Sequence, residues 1–355
     1  MPLKIGLIDV DSHNFPNLPL MKLSAYHKSK GDNVEMCIPI EQYDIIYKSK
    51  IFTHTPDVMY SYKADVIFEG GTGYDVPKEY HAGIESPTKM LDLPKEIENI
   101  MPHYSLYPKH SEAYGFLTRG CYRDCGFCVV SKKEGRCSRK VANLSDFYTG
   151  QKIIKLLDPN LLACSDHENL LIQLADSKAW VDLTQGLDVR LLNKDIIGLL
   201  NNIKTKIIHF AWDNPTENLI PQFELFDKYS KLKHYTKRSV YVLTNYNSTH
   251  EQDLERVYRL KELGYNPFIM IYDKENAPLI TKHLQRWVNN RRIFRSCENF
   301  EDYTCETKKI SKGAKIIKQN ENKEVVNDPM QGQLSYDEVP PKLTLVIYTI
   351  YGKST

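Results

Sequence analysis

Between residues 114 and 292 a short β-prone run followed by a helical pattern recurs six times, and an alternation sustained over that length commits the chain to an α/β fold with a parallel sheet. The strands expected are 114–118, 161–165, 180–184, 206–212, 239–245 and 267–272. The helices expected are 144–157, 167–175, 193–202, 215–229, 250–263 and 277–290. Boundary chemistry agrees: Asn214 precedes Pro215, and Leu263-Gly264 closes a helix. Six strand–helix units predict a partial (β/α)6 version of the TIM-type barrel that normally holds eight. In such barrels the reacting groups stand at the carboxyl ends of the strands.

The segment before it, residues 1–108, reads as a smaller Rossmann-like α/β domain, with a strand at 4–10, a helix at 20–30 stopped by Gly31, a strand at 34–39, and extended runs at 44–52 and 64–68. Pro77, Pro87, Pro94 and Pro102 then punctuate a connector ending at Tyr107-Pro108. The barrel unit is assigned to 109–305. Residues 306–355 form a third segment, polar and charged over 308–327, with Pro340-Pro341 leading into an apolar β-prone run at 343–351. That run is expected to pair with a sheet edge or to cover the barrel opening.

Composition excludes several classes. Hydrophobic residues make 41% and charged residues 26% of the 355, as in an ordinary globular protein. No run approaches the roughly 20 consecutive apolar residues that span a bilayer, and the amino terminus opens with a strand and not a signal peptide, so a cytoplasmic protein with no membrane partner is expected. Forty-seven basic against 45 acidic side chains give a net charge of +2, which offers no global argument for nucleic acid, although local patches leave it open. Eight cysteines diluted over this length fit a reducing compartment. Cys37 and Cys164 lie in apolar runs and read as core thiols; Cys297 and Cys305 flank an acidic-aromatic stretch and read as incidental.

Three other cysteines are clustered. Cys121, Cys125 and Cys128 stand in Arg119-Gly120-Cys121-Tyr122-Arg123-Asp124-Cys125-Gly126-Phe127-Cys128, a C-x3-C-x2-C spacing just after the first expected barrel strand. Three thiolates in eight residues can cap three corners of a four-iron cube and leave one iron open to a ligand. The other readings are unrelated thiols, or zinc, for which Cys137 is the nearest fourth ligand.

The spacing, the aromatic residue before the third Cys and the preceding strand resemble the signature of the radical S-adenosylmethionine (radical SAM) superfamily. The resemblance implies a 4Fe-4S cluster on these three cysteines, S-adenosylmethionine (SAM) on the open iron, reductive cleavage to a 5'-deoxyadenosyl radical, and an electron donor such as flavodoxin or ferredoxin. It also implies a six-unit partial barrel with the cysteine loop after strand one.

On the same resemblance, Phe127 is expected near the adenine. Asp166 or Glu168, after expected strand two, takes the place of the Gly-Gly-Glu run that holds the SAM amino group, without its glycines; a helix N-cap accounts for the pair equally. Gln185 and Arg190, in Thr184-Gln185-Gly186-Leu187-Asp188-Val189-Arg190, are candidates for SAM contacts, the alternative being an Asp188–Arg190 ion pair. Asp213 and Asn245 end strands four and five and either contact the ribose or substrate or cap the following helices.

In the first domain, Asp11-Ser12-His13 after strand one resembles the D-x-H-x-x-G loop of cobalamin-binding domains, with partial support from Ser49-Lys50-Ile51 and Gly70-Gly71. Pro16 stands where the glycine belongs and can neither take positive φ nor donate an N–H, which argues against bound cobalamin. The run Gly70-Gly71-Thr72-Gly73 is a phosphate cradle or, more simply, a tight turn. The basic stretch of Lys132, Lys133, Arg136, Arg139 and Lys140 is a solvated loop or an anion-attracting patch. Cobalamin-dependent methylation and methylthiolation are the alternatives within the family, the latter opposed by Cys37 being alone in its domain. Outside the family, the alternative is a zinc-binding nucleic-acid module. The substrate and catalytic groups acting on it do not follow from the sequence.

Overall fold

The computed structural model describes residues 1–12, 15–52, 55–74, 89–90 and 93–303. Its first sheet comprises β1 (Lys4–Asp9), β2 (Asn33–Met36), β3 (Gln42–Ser49), β4 (Lys63–Gly70) and β5 (Lys89–Met90), all parallel, in the order β2-β1-β3-β4-β5. The helix α1 (Leu18–Ser29) joins β1 to β2; the Asn17 side chain caps it by accepting from Leu20 N–H, and Gly31 follows it at φ 84°. Ile5 and Leu7 of β1 pack with Leu20 and Leu23 of α1.

The regular alternation of strands and helices expected here is met only by that unit. Residues 37–41 carry the chain from β2 to β3 without a helix, over β1. The crossing passes so close that a Cβ on Gly6 would stand 2.4 Å from Cys37 Sγ. Cys37 is therefore half-buried against the sheet, and burial pushes its thiol up to about 12.

The short helix α2 (Lys95–Glu98) and a 3-10 turn at Tyr104–Leu106 lead into the second unit. Two tyrosines pin this connector at both ends: Tyr107 donates to Asp9 at 2.6 Å, and Tyr104 donates to Phe147 O at 2.6 Å.

The second sheet is wholly parallel. Its strands are β6 (Ala113–Gly115), β9 (Ile153–Leu156), β10 (Trp180–Leu183), β11 (Thr205–Ala211), β12 (Arg238–Thr244) and β13 (Asn266–Ile271), side by side in chain order. Between β6 and β9 lie β7 (Thr118–Arg119), α3 (Val130–Glu134) and β8 (Arg139–Lys140), with β7 and β8 paired antiparallel. The later strands alternate with α4 (His167–Asp176), α5 (Lys194–Leu200), α6 (Ile220–Tyr229) and α7 (His250–Glu262), and β13 is followed by α8 (Leu279–Asn289) and α9 (Arg291–Ser296).

The pleat sorts the side chains by face. Ile154, Val181, Ile208, Val240 and Ile269 join the helices' Leu171, Ile197, Phe223, Val257 and Leu284 in the main core. On the opposite face lie Lys155, Asp182, His209 and Tyr241, all buried. A buried polar face is more constrained than a solvated one.

Two expected elements are corrected. Residues 144–157 are not a helix: a 3-10 turn at Leu144–Asp146, closed by reciprocal Asn143 and Asp146 hydrogen bonds, gives way through Gly150 at φ 105° to β9, whose Ile153 and Ile154 favour a strand. Residues 161–165 are not a strand; Leu161–Ala163 is a 3-10 turn leading into α4. The second strand of the sheet is therefore β9. The first expected strand, 114–118, is also shorter, ending at Gly115 before the separate pair of residues in β7.

Gly71, at φ 97°, approaches the Lys50 backbone so closely that a Cβ would lie 2.2 Å from Lys50 O, which makes the glycine run a tight turn. His13, Pro77, Pro87, Cys305 and the whole 306–355 segment fall outside the described residues. Among the described residues no helix is long and apolar enough to cross a membrane.

Candidate metal and cofactor site

The cysteine loop leaves the sheet after β6 and is anchored before its first thiol. Asp158, two residues past β9, accepts from Leu117 N–H at 3.0 Å, Thr118 N–H at 2.6 Å and the Thr118 hydroxyl at 2.7 Å. Glu134 of α3 accepts from Gly120 N–H at 3.0 Å and pairs with Arg119 at 2.8 Å. Gly120 sits at φ 86°, where an added Cβ would meet Cys137 O at 2.2 Å, so only glycine fits between loop and ribbon.

Within the loop, Cys128 N–H donates to Cys125 O at 2.9 Å, folding the second and third cysteines into one turn. All three thiols are half-buried. Burial raises Cys125, opposed by its hydrogen bond to Arg123, and pushes Cys128 up to about 12. In both, the neighbouring cysteines add to the rise, so the three thiols lie within electrostatic reach of one another. Asn160 Nδ2 points to Cys121 Sγ at 3.5 Å.

Among the described residues no three His, Cys, Asp or Glu side chains form a cage for a single metal ion. Cys137, the fourth thiol, is exposed, and its sulfur lies 3.7 Å from Ser138 O. The donor set, three thiols on one anchored loop with a cation at the second, suits a cluster in which separate irons each take one thiolate.

Opposite the loop, the strand ends carry a charged network. Arg190 pairs with Asp188 at 3.1 Å and with Glu217 at 3.1 Å, Glu217 also takes Arg123 at 3.2 Å, and the Tyr122 hydroxyl donates to Asp188 at 3.1 Å. This network joins the cysteine loop to the carboxyl ends of β10 and β11. Asp213 lies beside it with Oδ1 buried and without a hydrogen-bond partner. Burial pushes its carboxyl up to about 6 against the pull of Arg256, Arg190 and Arg123, and its charge reaches Cys125 and Cys128.

The other expected residues are placed as follows. Phe127 packs edge-on to Tyr246 with ring centroids 5.3 Å apart, in a cluster with Tyr241, Leu243 and Met270. Gln185 is half-buried and lines the cleft described below. Asp166 precedes α4 without capping it, and pairs at 2.8 Å with Lys140 of the basic stretch. Asn245 adopts φ 61° and donates to Tyr272 O at 2.8 Å, a turn-forming role that Asn tolerates well. Neither Asp213 nor Asn245 caps a helix; Leu219 and Thr249 hold those positions.

Four contributors were not singled out in the sequence: Asp158, Asn160, Glu217 and Arg256. Arg256 is buried on α7 and donates to Trp212 O at 2.6 Å, Asp213 O at 3.2 Å and Leu243 O at 3.0 Å, locking the ends of β11 and β12 together. Its i, i+4 spacing with Leu260 put it on the helix's apolar face and was the available signal.

The carboxyl ends of both sheets open on one cleft of about 210 Å³. Pro16, Ile51 and Gly71 line it from the first unit, and Val129, Leu157 and Gln185 from the second. Lys22–Glu98 at 3.2 Å, Glu98–Arg119 at 3.4 Å and Arg119–Glu134 at 2.8 Å run as a chain of ion pairs along its wall. Asp11 is committed to structure, accepting from Ile51 N–H at 2.9 Å and Phe52 N–H at 2.8 Å. No protein-family model matches the chain, and comparison with curated proteins gives no match.

Proposed function

We propose that the chain is a radical SAM enzyme with a partial (β/α)6 barrel, in which Cys121, Cys125 and Cys128 hold a 4Fe-4S cluster. The observation that carries this reading is the placement of three thiols on an anchored loop after the first of six parallel strands laid down in chain order, within electrostatic reach of the buried Asp213 carboxylate. With SAM bound, the cluster would supply one-electron reductive cleavage of the sulfonium and hence a carbon radical.

The chain's own residues would position and shield. Asp213 Oδ1, buried and unpartnered, suits the ammonium of SAM, and Arg190 and Arg123 stand where a carboxylate could be paired. Phe127 and Tyr246 give an apolar wall for the adenine. The cleft between the sheets, reached from the cysteine loop through Val129 next to Cys128 and from the strand ends through Gln185, would receive the substrate. Cobalamin is disfavoured there, because Pro16 replaces the loop glycine and Asp11 is occupied by backbone donors. A cytoplasmic setting with a flavodoxin or ferredoxin as electron donor completes the proposal.

Anaerobic reconstitution with iron and sulfide tests it. A brown protein that yields 5'-deoxyadenosine from SAM under dithionite, and loses its iron in Cys125→Ala but not in Cys137→Ala, supports the reading. A colourless protein holding one zinc and inert toward SAM overturns it.

A further inference from the structure

At the amino-terminal end of the six-stranded sheet, away from the cysteine loop, cations and exposed rings gather on one face. Trp180 opens β10 and is 45% exposed, whereas Trp212 and Trp287 are buried at 4% and 0%. Its backbone N–H donates to Lys152 O at 3.0 Å, and Val181 N–H donates to Lys204 O at 2.8 Å, so the lysines flank it on the adjoining strands. Lys237 lies over the indole, its Nζ 5.4 Å from the ring centroid.

A second platform adjoins the first. The His234 and Tyr235 rings are stacked with centroids 4.7 Å apart and 28° between planes, and the Arg295 guanidinium lies 3.8 Å from the Tyr235 ring. Lys206 and Arg292 are exposed at the same end.

Cations outnumber acids at this end, in a chain whose total is only +2. Of the acids at this end, Asp227 is engaged by Arg238 at 2.7 Å and Lys233 at 3.7 Å, and Asp176 is exposed at the end of α4, four residues ahead of Trp180. Lys152, Lys204, Lys206, Lys237 and Arg292 have no carboxylate in ion-pair range among the described residues.

We infer that this face binds single-stranded nucleic acid, with bases on Trp180 and on the His234–Tyr235 pair and the phosphates between the flanking cations. Lysines alone would suit any polyanion. An exposed indole and an exposed imidazole backed by the half-buried Tyr235, each bordered by cations, are what separates a strand of stacked bases from a lipid surface or an acidic protein. The face lies at the opposite end of the strands from the cysteine loop, so its occupancy does not depend on the proposed chemistry.

The full-length protein is titrated against a fluorescein-labelled homopolymer of about 20 nucleotides, by anisotropy, at about 50 and 200 mM salt. Binding that weakens steeply with salt, and that quenches tryptophan emission, is expected. Trp180→Leu should abolish the quench and weaken binding severalfold, and Lys204→Glu with Lys206→Glu should weaken it at least about tenfold and flatten the salt slope. Lys282→Glu, on α8, should leave affinity unchanged, and far-UV circular dichroism of each variant verifies folding. The proposal is overturned by no binding at the lower salt, by indifference to the charge reversals in a folded variant, or by inorganic polyphosphate binding as tightly as the oligonucleotide.

Discussion

Asp158 grips Thr118 at two points, accepting from its backbone N–H at 2.6 Å and its hydroxyl at 2.7 Å. The pair ties the end of β9 to the base of the cysteine loop, three residues ahead of Cys121. Burial pushes the Asp158 carboxyl up to about 6, so it is held at some cost and its donors are what retain it. Asp158→Ala strands these donors and Leu117 N–H without an acceptor, and a loss of about 3 kcal/mol is expected. Urea unfolding reads the stability, and iron per chain after reconstitution reads the loop. Full iron content in a destabilised variant would show that the loop keeps its shape unaided.

Two glycines should respond oppositely to the same methyl group. Gly120→Ala forces an L-residue to φ 86° and brings Cβ within 2.2 Å of Cys137 O, for an expected cost of about 2 to 3 kcal/mol and impaired cluster retention. Gly198 lies inside α5, exposed, with nothing within 4 Å of an added Cβ. Gly198→Ala should stabilise by about 0.5 to 1 kcal/mol and leave iron content untouched. Thermal or urea unfolding of both variants checks the contrast.

The cysteine spacing and the strand–helix alternation were legible because each is a local pattern that maps onto one element. The second strand was not. Residues 144–157 space Leu144, Phe147, Tyr148, Ile154 and Leu157 as a helix would, and the break at Gly150 is conformational; the compact apolar run from Leu161 looks like a strand but closes as a 3-10 turn. Asp166 was thereby assigned to the wrong strand end, and Asp158 and Asn160 were passed over. The polar inner face escaped notice for another reason. Lys155, Asp182 and His209 alternate with apolar neighbours, the pattern of a half-solvated strand, and the alternation alone does not tell that both faces are buried.

His209 should make the fold sensitive to acid. It is buried, stacked on Tyr241 with centroids 5.1 Å apart, and neither ring nitrogen has a hydrogen-bond partner. Burial, followed by the charge of Arg291, lowers it to about 3, and the Asp182 carboxylate at 3.8 Å does not offset this. The unfolded chain takes up the proton near pH 6.5 while the folded protein does not, so stability is complete above that value and drains as pH falls toward 3. At pH 4.5 the deficit amounts to about 2.5 kcal/mol. His209→Phe removes it; other titrating groups largely cancel because both proteins carry them. Urea unfolding at pH 7.5 and 4.5 should show the variant losing less stability than the parent by about that amount. Equal losses would mean that His209 is hydrated or charged in the folded state.

Arg256 couples stability to the site most directly. Its guanidinium bridges carbonyls on Trp212, Asp213 and Leu243 while pairing with Asp253, and burial raises the Asp253 carboxyl. Arg256→Met removes a buried partner and leaves Asp253 charged in an apolar setting, with an expected loss of about 3 to 5 kcal/mol. Adding Asp253→Asn should return part of that loss, because the stranded charge is gone while the three carbonyls still lack their donor. The two effects are separable by function. If Arg256 also fixes the carboxylate of Asp213 toward the cysteine loop, the double variant should refold well enough to hold iron yet bind SAM at least about tenfold more weakly, a change of about 1.4 kcal/mol. Equilibrium dialysis against radiolabelled SAM on the reconstituted protein measures this. Unchanged affinity in the double variant would confine Arg256 to stability alone.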